Sequence, residues 1–381
     1  MSLDFELLRR EPDVEGRGLE ASDAADRLIL DEAAEAIAAA GPGEVLVLDD
    51  AYGALALGAA ALGATGVRVH QDLVTGERAL ARNAARLGFD GERMPRSLPL
   101  SPELAAGARV VLMRLPRSLD RLDELAGLVA GHATSDVRVY AGGRLKHMTL
   151  AMNEVLAAWF DRVDVSHARQ KSRVLVASGP LEPRGRRQPP APAWPRVQRD
   201  ADLGLDVAAH GGVFAGSTVD IGTRLLLASL ADAVPDAASA VDLACGTGVV
   251  AAWLARARPG LVVTATDRSA SAAASARATA EANGVADRVT VTQADGLELL
   301  PAAGERLVVL NPPFHSDAAL HTGIAEHLFA DAARVLAPGG ELWCVWNSHL
   351  RYRPSLERIV GPTRQIARDP KFTVTASRRA R

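Results

Sequence analysis

A strand that ends in two prolines is the feature that most restricts what this chain can fold into. Four apolar residues, Leu307–Leu310, are followed by Asn311-Pro312-Pro313-Phe314. An uninterrupted apolar run is typical of a strand that is buried on both faces, as parallel sheets require. Proline cannot donate a ladder hydrogen bond, so the strand has to end at Asn311. Because ligands of open α/β sheets lie at the carboxyl ends of the strands, we predict a binding site here.

The residues after this strand have the chemistry to hold a planar amine. The side-chain oxygen of Asn311 is an acceptor, and Pro312, which precedes another proline, presents its carbonyl from an extended backbone. Phe314 offers a flat face on which a base can stack. The exocyclic amine of a base is a poor nucleophile, and two acceptors that hold its hydrogens favour a pyramidal nitrogen. The candidate catalytic residues are therefore Asn311, Pro312, Pro313 and Phe314; the alternative is a proline-terminated strand with Phe314 in the core.

A glycine-rich turn precedes this strand in the same half of the chain. It follows a predicted strand at Ala240–Leu243, contains Gly246 and Gly248, and opens a helix that runs through Arg256. Glycine lets the backbone approach a ligand closely, and the helix N-terminus adds exposed amides. On its own this turn is weak evidence, because it serves a dinucleotide equally well.

Carboxylates lie at the ends of successive strands around this turn. Asp267 ends the strand 261–266, 19 residues after Gly248 (267 − 248), where a carboxylate usually binds ribose hydroxyls. Asp295 ends the next strand and is placed to accept a hydrogen bond from an adenine amine. The alternative is a tight turn with solvent-facing carboxylates. The candidate cofactor-binding residues of this region are Asp242, Ala244, Cys245, Gly246, Gly248, Asp267, Asp295 and Asn311.

The two halves of the chain repeat one pattern. In both, strands alternate with helices, which predicts doubly wound, mainly parallel α/β sheets. Val45–Asp50 can be laid over Ala240–Cys245, and Arg114 then takes the place of Asn311. A repeat of this length indicates duplication of a whole domain. The first copy lacks the paired glycines and the Asn-Pro-Pro-Phe motif, so we infer that it kept the fold and lost the site.

Length and composition divide the chain into two domains. A chain of 381 residues exceeds one typical core. Six prolines and several arginines between Gly179 and Arg199 predict an extended, semi-rigid linker. We place an N-terminal domain at 1–179, the linker at 180–199 and a C-terminal catalytic domain at 200–381. The linker arginines are placed to touch RNA phosphates, although a solvated linker is the simpler interpretation.

Two helix ends are predicted from local residues. Ser22 is the expected N-cap of a helix over Glu20–Ala40. Pro338-Gly339-Gly340 is expected to close a helix over His327–Leu336 before a strand at Glu341–Trp346.

Charge and cysteine content exclude several classes of protein. The formal net charge is −3, so nucleic acid would have to bind at a local basic patch. Cys245 and Cys344 form no Cys-x-x-Cys pair, and neither a zinc site nor a disulfide framework is expected. The N-terminal segment lacks the apolar core of a signal peptide, and the most apolar run, Ala54–Val67, is short and glycine-rich. We expect a cytoplasmic protein without a membrane partner or a metal.

These motifs resemble one known family. Asp-Leu-Ala-Cys-Gly-Thr-Gly at 242–248 and Asn-Pro-Pro-Phe-His at 311–315 are similar to class I S-adenosylmethionine-dependent methyltransferases that modify guanine N2 in ribosomal RNA. Further similarity lies at 210–214, 220–222 and 346–350. The N-terminal half resembles the inactive copy of that family at Asp49–Leu57 and Thr134–Gly143, and the second stretch favours the large-subunit branch. The chain departs from the family at Ala244, often a glycine, and at the linker.

The resemblance implies a fold, a cofactor and a substrate. The fold is two tandem Rossmann-like class I methyltransferase domains, the cofactor is S-adenosylmethionine, and the substrate is a guanine N2 amine, favouring large-subunit (23S) rRNA. Phe214 and Asp220 would fold over the methyl donor as a lid; the alternative is a core Phe and a helix-capping Asp.

Several other functions remain open from the sequence. Small-subunit (16S) rRNA is the alternative substrate that ranks next. The same type of motif also serves methylation of adenine N6 and of glutamine side chains, although Phe rather than Tyr at 314 favours guanine. A nicotinamide oxidoreductase explains the glycine turn but leaves the Asn311 motif without a role. A non-catalytic RNA-binding factor is the last alternative.

Overall fold

The computed structural model describes residues 3–16, 18–182, 187–191, 194–313 and 318–380, without the side chains of 318–322. The predicted stacking residue Phe314 lies outside the described residues. The chain forms two compact units, Met1–Trp194 and Pro195–Arg381.

The first unit is a seven-stranded sheet with helices on both faces. Its strand order is β3-β2-β1-β4-β5-β7-β6, and only β7 runs antiparallel to its neighbours. Its elements are α1 Ala24–Ala39, β1 Val45–Leu48, α2 Ala54–Ala61, β2 Arg68–His70, α3 Val74–Leu87, β3 Arg96–Ser97, α4 Pro102–Ala105, β4 Val110–Arg114, α5 Leu119–His132, β5 Arg138–Arg144, α6 Leu150–Trp159, β6 Phe160–Val165 and β7 Ser172–Pro180.

The second unit repeats this sheet and adds a separate hairpin. The order β12-β11-β10-β13-β14-β16-β15 matches the first sheet strand for strand, and β8 pairs only with β9. Its elements are β8 Arg196–Asp200, β9 Leu205–Ala209, α7 Ile221–Leu230, β10 Ser239–Leu243, α8 Val249–Ala257, β11 Val262–Asp267, α9 Ala270–Ala282, β12 Val289–Gln293, β13 Glu305–Leu310, α10 Ala318–Val335, β14 Leu336–Asn347, α11 Arg353–Ile359, β15 Thr363–Arg368 and β16 Phe372–Arg378.

The doubly wound, mainly parallel fold predicted from the sequence is confirmed. Alternate residues of β13 enter different cores: Leu307 and Val309 pack on the side of α8 and α9, whereas Val308 and Leu310 pack on the side of α10 and α11. All four side chains are fully buried. This two-sided burial is the physical reason for the uninterrupted apolar run.

The registers of the two sheets confirm the internal repeat. Leu48 of β1 pairs with Met113 of β4, and Leu243 of β10 pairs with Leu310 of β13. The residues next along the chain from these pairs are Arg114, the last residue of β4, and Asn311, directly after β13, as the overlay of the two halves predicts.

Both predicted helix ends were wrong. Asp23, not Ser22, is the N-cap of α1, and its carboxylate accepts a hydrogen bond from the Ala25 amide. Pro338-Gly339-Gly340 lies inside β14, and α10 ends at Val335. Gly340 has the Glu305 carbonyl 2.9 Å from where a Cβ would stand, and the β13–β14 register shifts beside it. The glycines therefore form an irregularity in the sheet rather than a helix stop.

The predicted linker overlaps the first seven-stranded sheet at one end and the β8–β9 hairpin at the other. Pro180 is the last residue of β7, and Arg196–Asp200 form β8, which pairs with β9. The prediction that 196–199 belong to a linker was therefore wrong, because these residues gain ladder partners in β9. The assignment of the stretch between the two strands to a linker stays a prediction.

Candidate active site

Three parallel strands bring the predicted site residues to one edge of the second sheet. β10 pairs with β11 and β13, so Ala244, Asp267 and Asn311 all lie at carboxyl ends. The Cys245 amide donates to the Thr266 carbonyl at 2.9 Å, and the Gly246 amide donates to Asp267 Oδ2 at 2.9 Å. The glycine turn is thus fixed to the end of β11.

The turn between β10 and α8 depends on left-handed backbone. Ala244, Gly246 and Gly248 have φ values of 56°, 55° and 72°. A Cβ on Gly248 would stand 2.7 Å from the Ala276 Cβ, so glycine is required for α8 to pack on α9. A Cβ on Gly246 would meet no atom of the described residues within 4 Å. The turn therefore presents open space at Gly246, on the side where a ligand would approach.

Asp242 lies behind this turn rather than in solvent. Its side chain is 3% exposed, and Oδ2 accepts a hydrogen bond from the Ala251 amide in α8 at 3.0 Å. Burial, and secondarily the charge of Asp267, raise the pKa of Asp242 to about 7. The alternative of a solvent-facing carboxylate at 242 was therefore wrong.

Cys245 is a buried thiol in the same turn. Burial first, and then the charges of Asp267 and Asp242, raise its pKa well above the ordinary thiol value. The thiol stays protonated and is unsuited to act as a nucleophile. Both Cys245 and Cys344 are free and buried.

Asp267 ends β11 and Asp295 follows β12, the next two strands of the sheet. Asp267 Oδ1 accepts a hydrogen bond from the Ser269 amide at 2.9 Å, while its Oδ2 accepts from the Gly246 amide, so both oxygens fix the carboxylate beside the glycine turn. The Asp295 carboxylate lies 3.9 Å from His327 Nε2. Sequence reasoning gave His327 no part in this site, since no local spacing connects α10 to the end of β12.

Asn311 is held at the end of β13 by two residues of another element. Its Nδ2 donates to Thr223 Oγ1 at 3.0 Å and to Asp220 Oδ2 at 3.3 Å. Its Oδ1 is buried and has no hydrogen-bond partner among the described residues. The side chain thus combines a satisfied amide nitrogen with an acceptor that no described residue uses. Pro312 is buried and Pro313 is exposed.

Asp220 is both a helix cap and a neighbour of Asn311. It is the N-cap of α7, and its Oδ1 accepts from the Gly222 amide at 2.9 Å. Phe214 is 58% exposed, so the alternative of a core phenylalanine was wrong. Sequence reasoning missed Thr223, although its place three residues after a capping Asp was a usable signal.

Metal sites and membrane-spanning helices are both absent from the described residues. No group of three or more His, Cys, Asp or Glu side chains is arranged to hold a metal ion in the part of the chain that the structure describes. No helix in that same part is both long and apolar enough to cross a bilayer.

Family comparisons cover both units of this fold. Residues 3–180 match the family described as RLMG N-terminal domain, and residues 204–376 match Methyltransferase small domain. A Pseudomonas aeruginosa (strain UCBPP-PA14) protein named ribosomal RNA large subunit methyltransferase G is 35% identical over 367 residues, or 96% of each chain. The chain belongs to the ribosomal RNA large subunit methyltransferase G family. A member from Streptomyces coelicolor is 34% identical, covering 97% of this chain and 96% of its own.

A solved structure shares the fold of this methyltransferase G family member across both units. The T. thermophilus 16S rRNA N2 G1207 methyltransferase (RsmC), in complex with AdoMet and guanosine, superposes with a TM-score of 0.70. It is 22% identical and covers 96% of this chain and 97% of its own. The predicted fold of two tandem class I methyltransferase domains is thereby confirmed, as is the resemblance to the rRNA methyltransferases.

Proposed function

We propose that this protein transfers a methyl group from S-adenosylmethionine to the exocyclic N2 amine of a guanine in large-subunit (23S) ribosomal RNA. The observation that carries the proposal is the Asn311 side chain, whose amide nitrogen is bound while its buried Oδ1 has no partner among the described residues. Relatives named large subunit methyltransferase G, at 35% and 34% identity, support the large-subunit RNA. With that substrate, we propose a cytoplasmic location.

The residues at the strand ends fit S-adenosylmethionine. The left-handed turn at 244–248 leaves open space at Gly246, and Asp267 presents a carboxylate at the end of β11, where ribose hydroxyls bind. Asp295 would accept from the adenine amine, and the exposed Phe214 would cover the donor as a lid. Asp242 and Cys245 support the turn from inside. When bound, S-adenosylmethionine supplies an electrophilic methyl group.

The Asn311 motif prepares the attacking nitrogen. Asn311 Oδ1 and the Pro312 carbonyl would accept the two amine hydrogens, which draws the nitrogen lone pair out of the ring. With the amine held in this way, its lone pair would be directed at the methyl group that S-adenosylmethionine supplies, the demethylated donor would leave with the electrons of its former bond, and one amine proton would pass to solvent. Pro313 fixes the backbone of the motif, and Phe314 is expected to stack on the base. Catalysis is then alignment and electrostatics.

The first unit, in this proposal, no longer binds the cofactor. The arginine in the place of Asn311, Arg114, forms ion pairs with Asp23 and the fully buried Asp26 at 3.5 and 3.0 Å. Arg121, also buried, pairs with Asp49 at 2.8 Å. Two neutralised guanidinium groups thus occupy the carboxyl edge of the first sheet.

A positive surface near this edge is suited to RNA phosphates. We define the basic surface as Arg117, Arg144, Lys146 and His147, at and beyond the ends of β4 and β5. Arg117 Nη2 lies 3.4 Å from His147 Nε2. Partial desolvation, followed by the charges of Arg117, Lys146 and Arg144, lowers the pKa of His147, which indicates a positive local field. We propose that this surface docks the rRNA, as a chain of net charge −3 requires a local patch.

The experiment that tests the proposal is methyl transfer from labelled S-adenosylmethionine onto unmodified rRNA. Large- and small-subunit RNAs are offered separately, naked and as particles, to wild type and Asn311→Ala, and the product nucleosides are identified. We expect N2-methylguanosine in large-subunit RNA, and a loss of at least about 100-fold in kcat for the variant.

Other outcomes would replace this function with a named alternative. Transfer to 16S rRNA would move the substrate to the small subunit, and methylated adenine N6 would change the acceptor. Donor binding without any transfer would favour the non-catalytic RNA-binding factor. Wild-type activity in Asn311→Ala would remove the residue from the mechanism.

A further inference from the structure

We propose that Thr223 is a positioning residue that determines which way the side-chain amide of Asn311 faces. The inference rests on the proposed function, since it concerns the acceptor that Asn311 offers to the amine. An asparagine amide has two nearly isosteric ends, one that donates and one that accepts. Only the orientation with Oδ1 directed to the substrate allows Asn311 to hold an amine hydrogen.

Toward Asn311, the Thr223 hydroxyl can act only as a hydrogen-bond acceptor. A hydroxyl has one proton, and Thr223 Oγ1 donates its proton to Asp220 Oδ2. The lone pairs of Oγ1 then face Asn311 Nδ2 at 3.0 Å. Asp220 Oδ2, a carboxylate oxygen, also accepts from Nδ2 at 3.3 Å. A flipped amide would place Oδ1 against two acceptors, so the pair selects the nitrogen for this side.

The start of α7 fixes the direction of this series of hydrogen bonds. Asp220 Oδ1 accepts from the amides of Gly222 and Thr223 at 2.9 and 3.3 Å, which holds the carboxylate in place. Thr223 is only 8% exposed, so water is largely kept from replacing its hydroxyl. Hydrogen bonds therefore run in one sense from Asn311 through Thr223 to Asp220. Such a chain is stronger than its separate links.

The corresponding residues of the first unit support this assignment, because the strand-end residue and its helix partner differ together between the two units. Asp23 and Asp26 stand at the N-cap and third helical positions of α1, as Asp220 and Thr223 do in α7. There the strand-end residue is Arg114, a pure donor, and Asp26 is a pure acceptor 3.0 Å away. In each unit the third helical residue thus complements the strand-end side chain. In the second unit, where the strand-end side chain is the Asn311 amide, the third helical residue carries a hydroxyl.

The test uses the full-length protein and steady-state kinetics on large-subunit rRNA. Thr223→Val keeps the shape and removes the hydroxyl, and we expect kcat to fall about 10–100-fold with little change in either KM. Thr223→Ser keeps the hydroxyl and should restore most of the rate. Thr375→Val is the control, because Thr375 is also buried but lies on β16 and its hydroxyl has no partner among the described residues.

A second variant independently tests the direction in which these hydrogen bonds run. Asp220→Asn can still cap α7, but its amide would donate to Thr223 and turn the threonine proton toward Asn311 Oδ1. At saturating S-adenosylmethionine we expect a fall in kcat at least as large as that of Thr223→Val. This variant keeps the inference testable if Thr223→Val does not fold.

The outcomes separate this inference from the proposed function. A wild-type kcat in Thr223→Val or Asp220→Asn, while Asn311→Ala is inactive, would overturn the positioning role alone. A change confined to KM in Thr223→Val, or no rescue by serine, would also overturn it. An inactive wild type would instead remove the proposed function, and an active Asn311→Ala would remove Asn311 from the mechanism and this positioning role with it.

Discussion

At the scale of single residues, the site shows backbone and charge features that the sequence does not announce. Ala244 occupies a left-handed conformation that favours glycine, and Asp242 is a carboxyl group in the core of the second unit. Ala244 strains the glycine turn between β10 and α8, and burial of the Asp242 carboxyl behind that turn also lowers the free energy of unfolding. Two predictions follow from these costs.

Replacing Ala244 with glycine should stabilise the second unit. At a φ of 56° an L-residue with a Cβ is strained by about 1 kcal/mol, and glycine relieves this strain. Ala278→Gly in the interior of α9 is the control of opposite sign, since glycine there costs about 1 kcal/mol. Urea unfolding compares both with wild type, and equal destabilisation by the two glycines would contradict the strain.

Asp242 should make the stability of the second unit depend on pH. Its pKa in the fold is about 7 and its ordinary value is 3.8. Between these values the folded chain keeps a proton that the unfolded chain has released, so stability falls as pH rises from about 4 to about 7 and then levels. Asp242→Asn removes this slope and should gain on the order of 3 kcal/mol at pH 8.

The measurement for this prediction is amide hydrogen exchange in β10 and β13 at a series of pH values. The difference between variant and wild type should be small near pH 4 and constant above pH 7. A difference that is independent of pH would show that Asp242 is ionised in the fold throughout this range.

Residue contacts were predictable only where they are local in sequence. Asp267 and Asn311 follow strands, and the pattern places them at one edge of the sheet. Thr223 lies 88 residues from Asn311, and the contact depends on how α7 packs against the end of β13. No local spacing encodes that packing. The role of the third helical residue becomes visible in the sequence only when α7 is aligned with α1.

At the scale of secondary structure, the central strands of each sheet were predictable, whereas among the edge strands β12 was predicted and β3, β6 and β15 were not. The parallel strands β10 and β13 are buried on both faces and appear as continuous apolar runs. The strands β6 and β15 contain exposed charged residues, and β8 is mostly exposed. Their pairing comes from neighbours rather than from their own pattern. Sequence reasoning therefore found the strands that position the site and missed β3, β6 and β15.

At the scale of the whole chain, duplication leaves one unit with the open Asn311 site and one with neutralised arginines in its place. The first unit keeps every strand of the fold, and since the proposed function assigns methyl transfer to the second unit, we expect the first unit to have another role. Its basic surface offers one, because phosphate contact needs positive charge and no pocket. RNA docking by this unit makes a prediction about salt that is independent of the chemistry.

Replacing Arg117, Arg144 and Lys146 with glutamine should weaken rRNA binding without slowing methyl transfer at saturating RNA. Each lost phosphate contact lowers the slope of log K against log salt concentration by about 1, so the slope should fall by about 3 if all three contact phosphate. Filter binding from 50 to 300 mM salt, roughly the range over which such contacts are lost, measures the slope. The control replaces Arg96, Arg109 and Arg138, exposed arginines at or next to the amino ends of β3, β4 and β5. Equal slopes for the two triple variants would mean that the RNA responds to net charge alone, and the first unit would need another role.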